Sequence, residues 1–415
     1  MAVGVDPIDG TAMKAQFPLL SREVHGKPIV YLDSAATSQK PLAVLDAMDD
    51  YYRTINSNVH RGVYMIAEEA TNRMEIARAL ARDFIGARSS SEIIFTKNAT
   101  EALNLVAQGW GRANLVAGDV VVLSHMEHHA NIVPWHMLVA EIGIELRWIP
   151  LDSEGRLDLT ELDTLLNGAK VLSVTAMSNV LGTMNPVRTL TDAARKAGAI
   201  SIIDGCQSVP HSATNVQELG ADFVTFSGHK MCGPTGIGVL YGREELLEAM
   251  PPFLGGGEMI RDVRLDGFTT NDLPWKFEAG TPPIAEIIGL GAAVEWLNGV
   301  GMDNIRAHEI ALTEYTISTL HERFGDRIRI HGPSSPAERG GVFSFDFDGL
   351  HPHDISQVLD QHAVCVRAGH HCAKPLMKLL GIGATARASV YVYNDTTDID
   401  ALADALDATG AFFTL

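Results

Sequence analysis

Short apolar runs alternate with helical patterns along the chain as far as Tyr241. The runs contain many β-branched residues, and most segments between them are amphipathic at helical spacing, as in residues 99–109 and 190–197. The runs predict strands over residues 29–32, 92–96, 120–124, 146–150, 171–176, 200–204, 223–227 and 238–241. Continuous apolar strands that alternate with helices are typical of a mainly parallel sheet covered on both faces. The pattern therefore predicts a large α/β domain.

The pattern changes after Tyr241. Residues 251–283 are rich in glycine and proline and predict a long loop, a kind of segment that is often functional or mobile. The elements predicted after this loop are helices at about 284–298 and 302–324 and strands near 328–331, 342–347, 365–367 and 388–393. These elements predict a smaller α+β domain. We expect an N-terminal segment (1–28) that packs on the small domain, a large domain (29–284) and a small C-terminal domain (285–415).

The composition limits the partners of the chain. Of its 415 residues, 46% are hydrophobic and 20% are charged, as in ordinary globular proteins, and the formal net charge is −19. An acidic surface repels nucleic acid and anionic membranes, so we expect neither as a partner. We see no signal peptide and no apolar run of about 18 residues, and the four cysteines are too few for a disulfide framework. We therefore expect a cytoplasmic protein.

Two polar residues at predicted strand ends carry the first candidate chemistry. Asp204 ends the strand 200–204, at the edge where open α/β sheets bind ligands, and its carboxylate suits a protonated ring nitrogen. Lys230 follows the strand 223–227 in the sequence Ser-Gly-His-Lys, directly before a glycine-rich turn. A lysine amine in such an apolar setting is suited to Schiff-base formation with an aldehyde. The structural alternatives are a capping aspartate and a surface lysine.

The segment that follows the strand 92–96 predicts a phosphate site. Asn98, Ala99 and Thr100 open a helix there. The free N–H groups and the positive dipole end of a helix N-terminus favour a phosphate group, and the Thr100 hydroxyl would be a further donor. Helix capping by Asn98 is the alternative, and both can hold together.

Two histidines, His128 and His129, follow the strand 120–124. Adjacent residues on a helix do not face each other, so a shared metal is the less favoured interpretation. We favour one of the two imidazoles stacked flat over an aromatic cofactor.

The segment Arg-Ala-Gly-His-His-Cys-Ala at residues 367–373 carries a candidate nucleophile, Cys372. Its glycine and two histidines predict a mobile, exposed loop, in which an imidazolium group or Arg367 would favour the thiolate. Cys365 lies in a predicted strand and fits the alternative of a buried structural cysteine. Arg387 opens the next strand and is suited to binding a carboxylate through two nitrogens.

Seven motifs, in this order, resemble those of the SufS-type cysteine desulfurases, a group within the class V aminotransferase superfamily. The motifs are Leu-Asp-Ser-Ala-Ala-Thr (32–37), Val-His-Arg-Gly (59–62), Met-Glu-His-His-Ala-Asn (126–131), Ser-Asn-Val-Leu-Gly (178–182), Ser-Gly-His-Lys (227–230), Glu-Ala-Gly-Thr-Pro (278–282) and Arg-Ala-Gly-His-His-Cys-Ala (367–373). The resemblance covers about residues 31–393. It implies the fold type I of pyridoxal-phosphate enzymes, with a mainly parallel seven-stranded sheet flanked by helices and a small α+β domain.

The resemblance also implies a role for each matching residue toward pyridoxal 5′-phosphate. Lys230 would carry the cofactor, Asp204 would pair with its ring nitrogen, and His128 would stack on its ring. Gln207 would hydrogen-bond the ring oxygen of the cofactor. The other cofactor contacts, most of them around the phosphate, would come from Ala99, Thr100, Asn179, Ser227 and His229. Thr281 would reach the cofactor from the other subunit of a homodimer.

The implied substrate site uses a second group of residues. Asn179 and Arg387 would bind the carboxylate of L-cysteine, and His60 and Arg61 would line the entrance. Cys372 would accept the sulfur as a persulfide while L-alanine is released. The sulfur would then pass to a relay protein of the SufE or SufU kind and to a Suf scaffold for iron–sulfur cluster assembly.

Four further residues are singled out by the resemblance or by their position. Cys206 and Cys232 stand where the family commonly has other residues, and we expect both to be buried and inactive. His351 and His353 are candidates for the surface where sulfur is handed over, with ordinary surface histidines as the alternative.

Three alternative functions stay open at this point. Another class V enzyme, of the selenocysteine lyase, kynureninase or epimerase type, would share Lys230 and Asp204 without needing a cysteine. A non-catalytic scaffold would keep the fold to bind a partner. A metal-binding protein would use the four histidines His128, His129, His370 and His371.

Overall fold

The fold is taken from a computed structural model that describes residues 8–413. Its helices are α1 (Gly10–Lys14), α2 (Leu42–Asp50), α3 (Met65–Phe84), α4 (Ala99–Leu105), α5 (Arg112–Asn114), α6 (Val133–Ile142), α7 (Leu162–Leu166), α8 (Val187–Ala197), α9 (Val216–Leu219), α10 (Glu244–Ala249), α11 (Ile284–Val300), α12 (Met302–Phe324), α13 (Pro352–Gln361), α14 (Lys374–Leu379) and α15 (Thr396–Phe413). Its strands are β1 (Glu23–Val24), β2 (Lys27–Pro28), β3 (Val30–Tyr31), β4 (Ile93–Thr96), β5 (Val120–Ser124), β6 (Glu145–Ile149), β7 (Ala169–Thr175), β8 (Ile200–Asp204), β9 (Phe223–Ser227), β10 (Gly238–Gly242), β11 (Ile260–Arg264), β12 (Gly267–Thr270), β13 (Ile328–Ile330), β14 (Val342–Phe347), β15 (Val364–Cys365), β16 (Arg367–Gly369) and β17 (Thr385–Ser389).

The large sheet has seven strands in the order β4-β10-β9-β8-β7-β5-β6, and only β10 runs antiparallel to its neighbours. Every residue of β4, β5, β9 and β10 is buried, because helices cover both faces, and this explains their continuous apolar runs. The carboxyl ends of the parallel strands β5, β7, β8 and β9 lie along one edge of the sheet. Their last residues are Ser124, Thr175, Asp204 and Ser227.

A glycine in β10 brings the start of α4 close to this edge. Gly238 pairs with Thr96 on one side and with Ser227 on the other. A Cβ atom at Gly238 would lie 2.6 Å from the Cα and carbonyl carbon of Asn98. Only glycine therefore allows the first turn of α4 to sit against the strand.

The C-terminal part of the chain forms a second sheet, with the antiparallel order β13-β14-β17-β16. The side chains of Phe343, Phe345 and Phe347 on β14 are fully buried in its core, together with residues of α12, α13 and α15. The core is distinct from the two apolar clusters that cover the large sheet. The predicted α+β unit is therefore present.

Three sequence-based strand assignments need correction. The predicted strand 29–32 is not part of the large sheet, since β3 pairs in parallel with β15 of the C-terminal part. The predicted strand 388–393 is β17, which ends at Ser389, and the predicted strand 365–367 is divided between β15 and β16. Residues 390–393 are buried without being in a strand, so their apolar run reports burial alone. The domain limits stay a prediction, although β3 associates with the C-terminal part.

The segment 251–283 contains regular structure that the sequence did not reveal. Strands β11 and β12 form a two-stranded antiparallel hairpin with a register shift between Ile260 and Asp262. Its residues are almost all exposed, so it lacks the alternation of apolar and polar positions that identifies a half-buried strand.

The N-terminal segment contacts the C-terminal helix. The Lys14 ammonium lies 2.8 Å from the carboxylate of Asp398 and 3.3 Å from that of Asp395. The ring of Phe17 packs edge-on against Tyr393, with 4.8 Å between the ring centroids. These contacts support the predicted packing of residues 8–28, whereas residues 1–7 lie outside the described part of the chain.

The long helix α11 runs through the apolar core. Most of its side chains are buried, and it packs against α2 and α3. Within residues 8–413 no single helix is long and apolar enough to cross a membrane. In the same range, only α11 taken together with the segment Met302–Arg327 is long and apolar enough, and the chain bends by 72° between these two helical segments.

Candidate active site

A cavity of about 260 Å³ opens at the carboxyl edge of the large sheet, where the C-terminal sheet approaches it. It is lined by eleven of the predicted site residues: Ala99, Thr100, His128, Asn179, Asp204, Gln207, Ser227, His229, Lys230, Cys372 and Arg387. Lys230 and Cys372 are separated by 142 positions in sequence but face the same cavity. The arrangement required for a lysine-bound cofactor beside a nucleophilic thiol is therefore present.

Asp204 and Lys230 reach the cavity from neighbouring strand ends. The Asp204 carboxylate is buried, and one of its oxygens accepts the amide of Cys206 at 2.9 Å. Lys230 ends the short 3-10 turn Gly228–Lys230 that follows β9. Because β8 and β9 are parallel neighbours, the anionic and the cationic group face the same cavity.

His128 presents a neutral imidazole to the cavity. Its Nδ1 accepts the Ala130 amide at 3.0 Å, so the ring proton is on Nε2. Burial, reinforced by the charge of Lys230, lowers the pKa of His128 to about 4. A neutral ring held in one orientation fits the stacking role, which stays a prediction.

The start of α4 forms the end of the cavity predicted for phosphate. Asn98 caps the helix by accepting the Glu101 amide at 3.0 Å, and the Ala99 amide donates to the Ser227 hydroxyl oxygen at 2.9 Å. The Ser227 hydroxyl hydrogen has a ligand or Cys206 Sγ, 4.0 Å away, as its possible acceptors. Thr100 and His229 line the cavity at the same place. Capping and anion binding are compatible here.

Gln207 provides a direct test of whether pyridoxal phosphate fits. Its Nε2 donates one hydrogen to the Ala35 carbonyl at 2.8 Å, and its buried Oε1 has no partner in the described structure. The second amide hydrogen is left for a ligand oxygen, and an unpartnered buried oxygen marks a site that a polar ligand completes. The donors at α4, the carboxylate of Asp204 and the amine of Lys230 therefore fit the phosphate, ring nitrogen and aldehyde of this cofactor.

The side chain of Cys372 is exposed, while the backbone of its loop is hydrogen-bonded to the rest of the chain. His371 and Cys372 have positive φ angles of 51° and 57°, a conformation that costs non-glycine residues about 1 kcal/mol or more each. The His129 amide donates to the Cys372 carbonyl at 2.7 Å, and the Lys374 amide donates to His129 Nε2 at 3.0 Å. His129 thus anchors the loop, and the cysteine is presented by a constrained backbone.

The charge beside Cys372 does not come from His371. The ring of His371 is buried, its Nε2 lies 2.8 Å from the Thr385 hydroxyl, and burial together with the charge of Arg387 lowers its pKa to about 3. His371 is therefore neutral, and the expected imidazolium is not supplied by this residue. The positively charged arginines that line the cavity with Cys372 are Arg367 and Arg387.

Arg387 is held by a residue that the sequence analysis left without a role, Asp33. Arg387 and Arg367 are directly paired on the antiparallel strands β17 and β16. Asp33 accepts from Arg387 at 3.3 Å and from Arg367 at 3.1 Å, and the Arg387 Nη1 donates to the Asn179 carbonyl at 2.9 Å. Like charges opposite each other on paired strands repel, so the carboxylate of Asp33 offsets the repulsion between the two arginines. The buried, unpartnered Nε of Arg387 remains for a ligand.

Replacing Asp33 by asparagine is expected to destabilise the fold by about 3 kcal/mol, because the buried Arg387 guanidinium loses its counter-ion. The matched control is Asp163→Asn, whose pair with Lys196 is exposed and contributes less than about 1 kcal/mol. Thermal unfolding of both variants measures the difference. Equal midpoints for the two would contradict the compensating role of Asp33.

The other three thiols are less accessible than Cys372. Cys206 and Cys232 are buried, as expected, and burial raises the pKa of both, that of Cys232 to about 12. Cys206 nevertheless lines the cavity. Cys365 is only half-buried, so the expectation of a fully buried cysteine in that strand is corrected, and burial also raises its pKa.

Three predicted site residues do not line this cavity. The ring of His60 packs edge-on against Trp275 at 5.8 Å, and Arg61 pairs with Glu258 at 3.3 Å. Thr281 is exposed. The roles predicted for these three residues stay predictions.

The histidines that were considered as metal ligands make separate contacts. His128 faces the cavity, His129 anchors the loop and His371 bonds to Thr385. In the described range 8–413, no group of three or more His, Cys, Asp or Glu side chains is arranged to hold a metal ion.

Behind the cavity lies a buried carboxyl group, Glu127, which was not identified from the sequence. It accepts the Thr175 amide at 3.0 Å and the Asn131 side chain at 2.7 Å, and it also contacts the Ser124 hydroxyl. These bonds tie the end of β5 to β7 and to the turn that begins at His128. Burial raises the pKa of Glu127 to about 7.

Glu127 makes a testable contribution to pH dependence. An unfolded glutamate has a pKa of about 4.3, so between about pH 4.3 and 7 the folded chain keeps a proton that the unfolded chain loses. The contribution of protonated Glu127 to the free energy of unfolding is full below that window and is lost as the pH rises through it. Glu127→Gln is expected to remove up to about 4 kcal/mol of this decline, measured by denaturant unfolding across the window. Exposed Glu145→Gln is the control, and identical pH profiles for the two variants would exclude the effect.

The sequence matches the family model described as Aminotransferase class-V over residues 30–402. The chain belongs to the class V aminotransferase family. The match includes both sheets and every residue that lines the cavity. The class V membership confirms the family predicted from the seven motifs.

Relatives within the class V family are similar over nearly their whole length. A protein of Streptomyces coelicolor named as a probable cysteine desulfurase is 52% identical over 412 residues, covering 98% of each chain. The apo structure of a cysteine desulfurase from Thermococcus onnurineus NA1 has a TM-score of 0.92 and 41% identity, over 99% of this chain and 100% of that one. The crystal structure of the Escherichia coli cysteine desulfurase CsdA in an S-sulfonic acid form has a TM-score of 0.90 and 39% identity, over 98% and 100%. These similarities confirm the predicted fold class.

Proposed function

We propose that this class V protein is a pyridoxal-phosphate-dependent cysteine desulfurase that converts L-cysteine to L-alanine and captures the sulfur on Cys372. The observation that carries the proposal is the shared cavity of Lys230, Asp204 and the exposed Cys372. Relatives at about half identity over the whole chain bear the name cysteine desulfurase, which supports this substrate.

The residues divide the chemistry among them. Pyridoxal phosphate, when bound, would supply an electron sink for the α-carbon of an amino-acid substrate. Lys230 would hold it covalently and, once free as an amine, would take the α-proton, while Asp204 would keep the ring nitrogen protonated. His128 would cover the ring, and Asn179 and Arg387 would hold the substrate carboxylate.

The sulfur transfer would be carried out by the Cys372 thiolate. It would attack the substrate sulfur, so that an S–S bond forms as the C–S bond breaks. The electron pair of the C–S bond would remain with the substrate carbon, which is protonated to give alanine. The product on the protein would be a persulfide at Cys372, and no free sulfide would be released in this step.

A cleft beside Cys372 suits an acceptor of that sulfur. The cleft has a volume of about 1000 Å³ and is lined by Cys372, His351, His353 and His370. The rings of His351 and His353 stack with 5.3 Å between centroids. We propose that a relay protein of the SufE or SufU kind docks here and passes the sulfur to a Suf scaffold, in the cytoplasm.

A homodimer is part of the proposal. Val63 and Met65 at the start of α3 are 94% and 78% exposed, and Leu265 and Phe268 on the β11–β12 hairpin are also exposed. Exposed apolar residues in such clusters are typical of a protein interface. A second chain that covers them is expected to bring Thr281, His60 and Arg61 to the neighbouring cavity, and sedimentation equilibrium would measure the dimer.

The proposal is tested by product analysis with L-cysteine, pyridoxal phosphate and a thiol reductant. Alanine and sulfide are expected in equal amounts, since the reductant releases the sulfur from Cys372. L-selenocysteine and L-kynurenine, tested in parallel, cover the alternatives of a selenocysteine lyase or a kynureninase. Turnover of kynurenine without alanine formation from cysteine would refute the proposal.

A further inference from the structure

Two segments that follow neighbouring strands of the large sheet contact the loop of Cys372. Strands β5 and β7 are paired in parallel, so the chain leaves both strands at the same edge of the sheet. His129 follows β5, and Asn179 follows β7. The loop itself lies between β16 of the C-terminal sheet and α14. Cys372 therefore lies where segments that belong to the two sheets meet.

Two consecutive carbonyls of the loop accept hydrogen bonds from these segments. The Asn179 side chain donates from Nδ2 to the His371 carbonyl at 2.6 Å, and the His129 amide donates to the Cys372 carbonyl at 2.7 Å. In the range 8–413, Asn179 is the only donor to the His371 carbonyl. The ring Nε2 of His129 also accepts the Lys374 amide, at 3.0 Å. The two side chains thus hold the backbone on both sides of Cys372.

These bonds hold a backbone conformation that residues other than glycine seldom adopt. His371 and Cys372 have φ angles of 51° and 57°. The free-energy cost of the left-handed conformation at one residue is comparable with the net contribution of one hydrogen bond. The His371 ring bonds to Thr385 and so fixes the loop only to the C-terminal sheet. Loss of one bond to the segments after β5 and β7 therefore lets the loop populate other conformations, in which the Cys372 side chain points elsewhere.

Both side chains have the chemistry that this role requires. Arg387 bonds to the backbone carbonyl of Asn179, so a change of the Asn179 side chain leaves that contact in place. The amide nitrogen of the side chain has two hydrogens, and the one not used by His371 remains for a substrate carboxylate. Burial lowers the pKa of His129, so its ring stays neutral and Nε2 keeps the lone pair that accepts an amide.

We propose that Asn179 and His129 are positioning residues for the sulfur-transfer step, because their side chains hold the loop of Cys372. For Asn179 this role is additional to the carboxylate contact. The inference rests on the proposed function. Loss of either side chain is expected to slow transfer of sulfur to Cys372 without slowing removal of the α-proton, which requires Lys230 and not Cys372.

The test compares two reactions of the full-length, cofactor-loaded protein. Alanine release from L-cysteine requires Cys372, whereas exchange of the α-proton of L-alanine in D₂O, followed by NMR, requires only Lys230 and the carboxylate site. His129→Ala and Asn179→Ala are each expected to lower the ratio of the first rate to the second about tenfold, the effect of one lost hydrogen bond. A weaker carboxylate contact in Asn179→Ala slows both reactions, so the ratio removes it.

Conservative variants separate the hydrogen bonds from other effects of substitution. His129→Gln is expected to restore the ratio, because its Oε1 can accept the Lys374 amide. Asn179→Asp keeps the size of the side chain but has no donor for the carbonyl of the loop, so it is expected to lower the ratio as Asn179→Ala does. The controls are the exposed residues His136 and Asn167, whose replacement by alanine should leave the ratio unchanged.

Hydrogen–deuterium exchange of the protein without cofactor or substrate measures the loop directly. The peptide that contains residues 370–376 is expected to exchange faster in His129→Ala and Asn179→Ala, while peptides of β8 and β9 exchange as in the unchanged protein. An unchanged ratio of rates, or unchanged exchange of the loop peptide, would overturn the inference. If the unchanged protein forms no alanine from L-cysteine, the proposed function fails, and the exchange of the loop peptide still decides whether the two side chains hold the loop.

Discussion

Replacing Cys372 by serine is expected to abolish alanine formation from L-cysteine while cofactor binding persists. Cys372 is the exposed thiol of the cavity, and serine keeps its size but is a far weaker nucleophile toward sulfur. A loss on the order of 10³-fold or more in kcat is expected, as for other enzymes that lose the residue forming their covalent intermediate. The measurement is the initial rate of alanine release with saturating cofactor.

The control for this variant is Cys365→Ser, which changes a half-buried thiol that does not line the cavity. Its alanine release is expected to match that of the unchanged protein. Cofactor absorbance should be the same in both variants, because neither serine touches the groups around Lys230. Undiminished alanine release from Cys372→Ser would remove the role of acceptor from this residue.

Replacing Lys230 by alanine is expected to eliminate both covalent cofactor attachment and turnover. The amine of Lys230 reaches the cavity from the turn after β9, and no other lysine of the described residues lines the cavity. Its loss removes the covalent anchor and the base for the α-proton, so the rate is expected to fall by about 10³-fold or more. Borohydride reduction followed by mass measurement of the peptide with residue 230 detects the attachment.

Exposed Lys196 supplies the matched control, since Lys196→Ala removes an amine that pairs with Asp163 and does not line the cavity. It should keep both cofactor attachment and rate. Cofactor fixed by borohydride in Lys230→Ala, at another residue and with normal turnover, would disprove the assignment.

The large sheet was predictable because its strands are buried on both faces. Residues 120–124, 200–204 and 223–227 were predicted as strands with the bounds that the structure shows. The runs 29–32 and 388–393 are also apolar, but an apolar run indicates only that a segment is buried and does not show which strand it pairs with. Residues 30–31 therefore belong beside β15, and residues 390–393 are buried in no strand.

The site was predictable where it depends on strand ends. Asp204 and Lys230 follow parallel neighbours, so their meeting at one edge follows from the topology. Asp33 and Glu127 were missed because their importance lies in tertiary contacts, with Arg387 and Arg367 in one case and with Thr175 and Asn131 in the other. The acidic residue within the Leu-Asp-Ser motif was a signal for Asp33, but its partners are more than 300 positions away.

The state of His371 shows a further limit of local sequence. A histidine beside a cysteine suggests an imidazolium that activates the thiol, but His371 is buried near Arg387 and is neutral. The positive charge near Cys372 in the cavity lining comes instead from arginine side chains, those of Arg387, 15 positions away in the sequence, and of Arg367. Burial, which only the folded chain defines, decides which of the two groups carries the charge.

The central claim is that Cys372 receives a sulfur atom from a substrate held in the cavity of Lys230. The most direct measurement is the mass of the peptide that contains Cys372, isolated without reductant after L-cysteine is added to the cofactor-loaded protein. One additional sulfur atom is expected on that peptide, and none on the peptides of Cys206, Cys232 and Cys365. An unchanged Cys372 peptide, with alanine formed and free sulfide released, would contradict it.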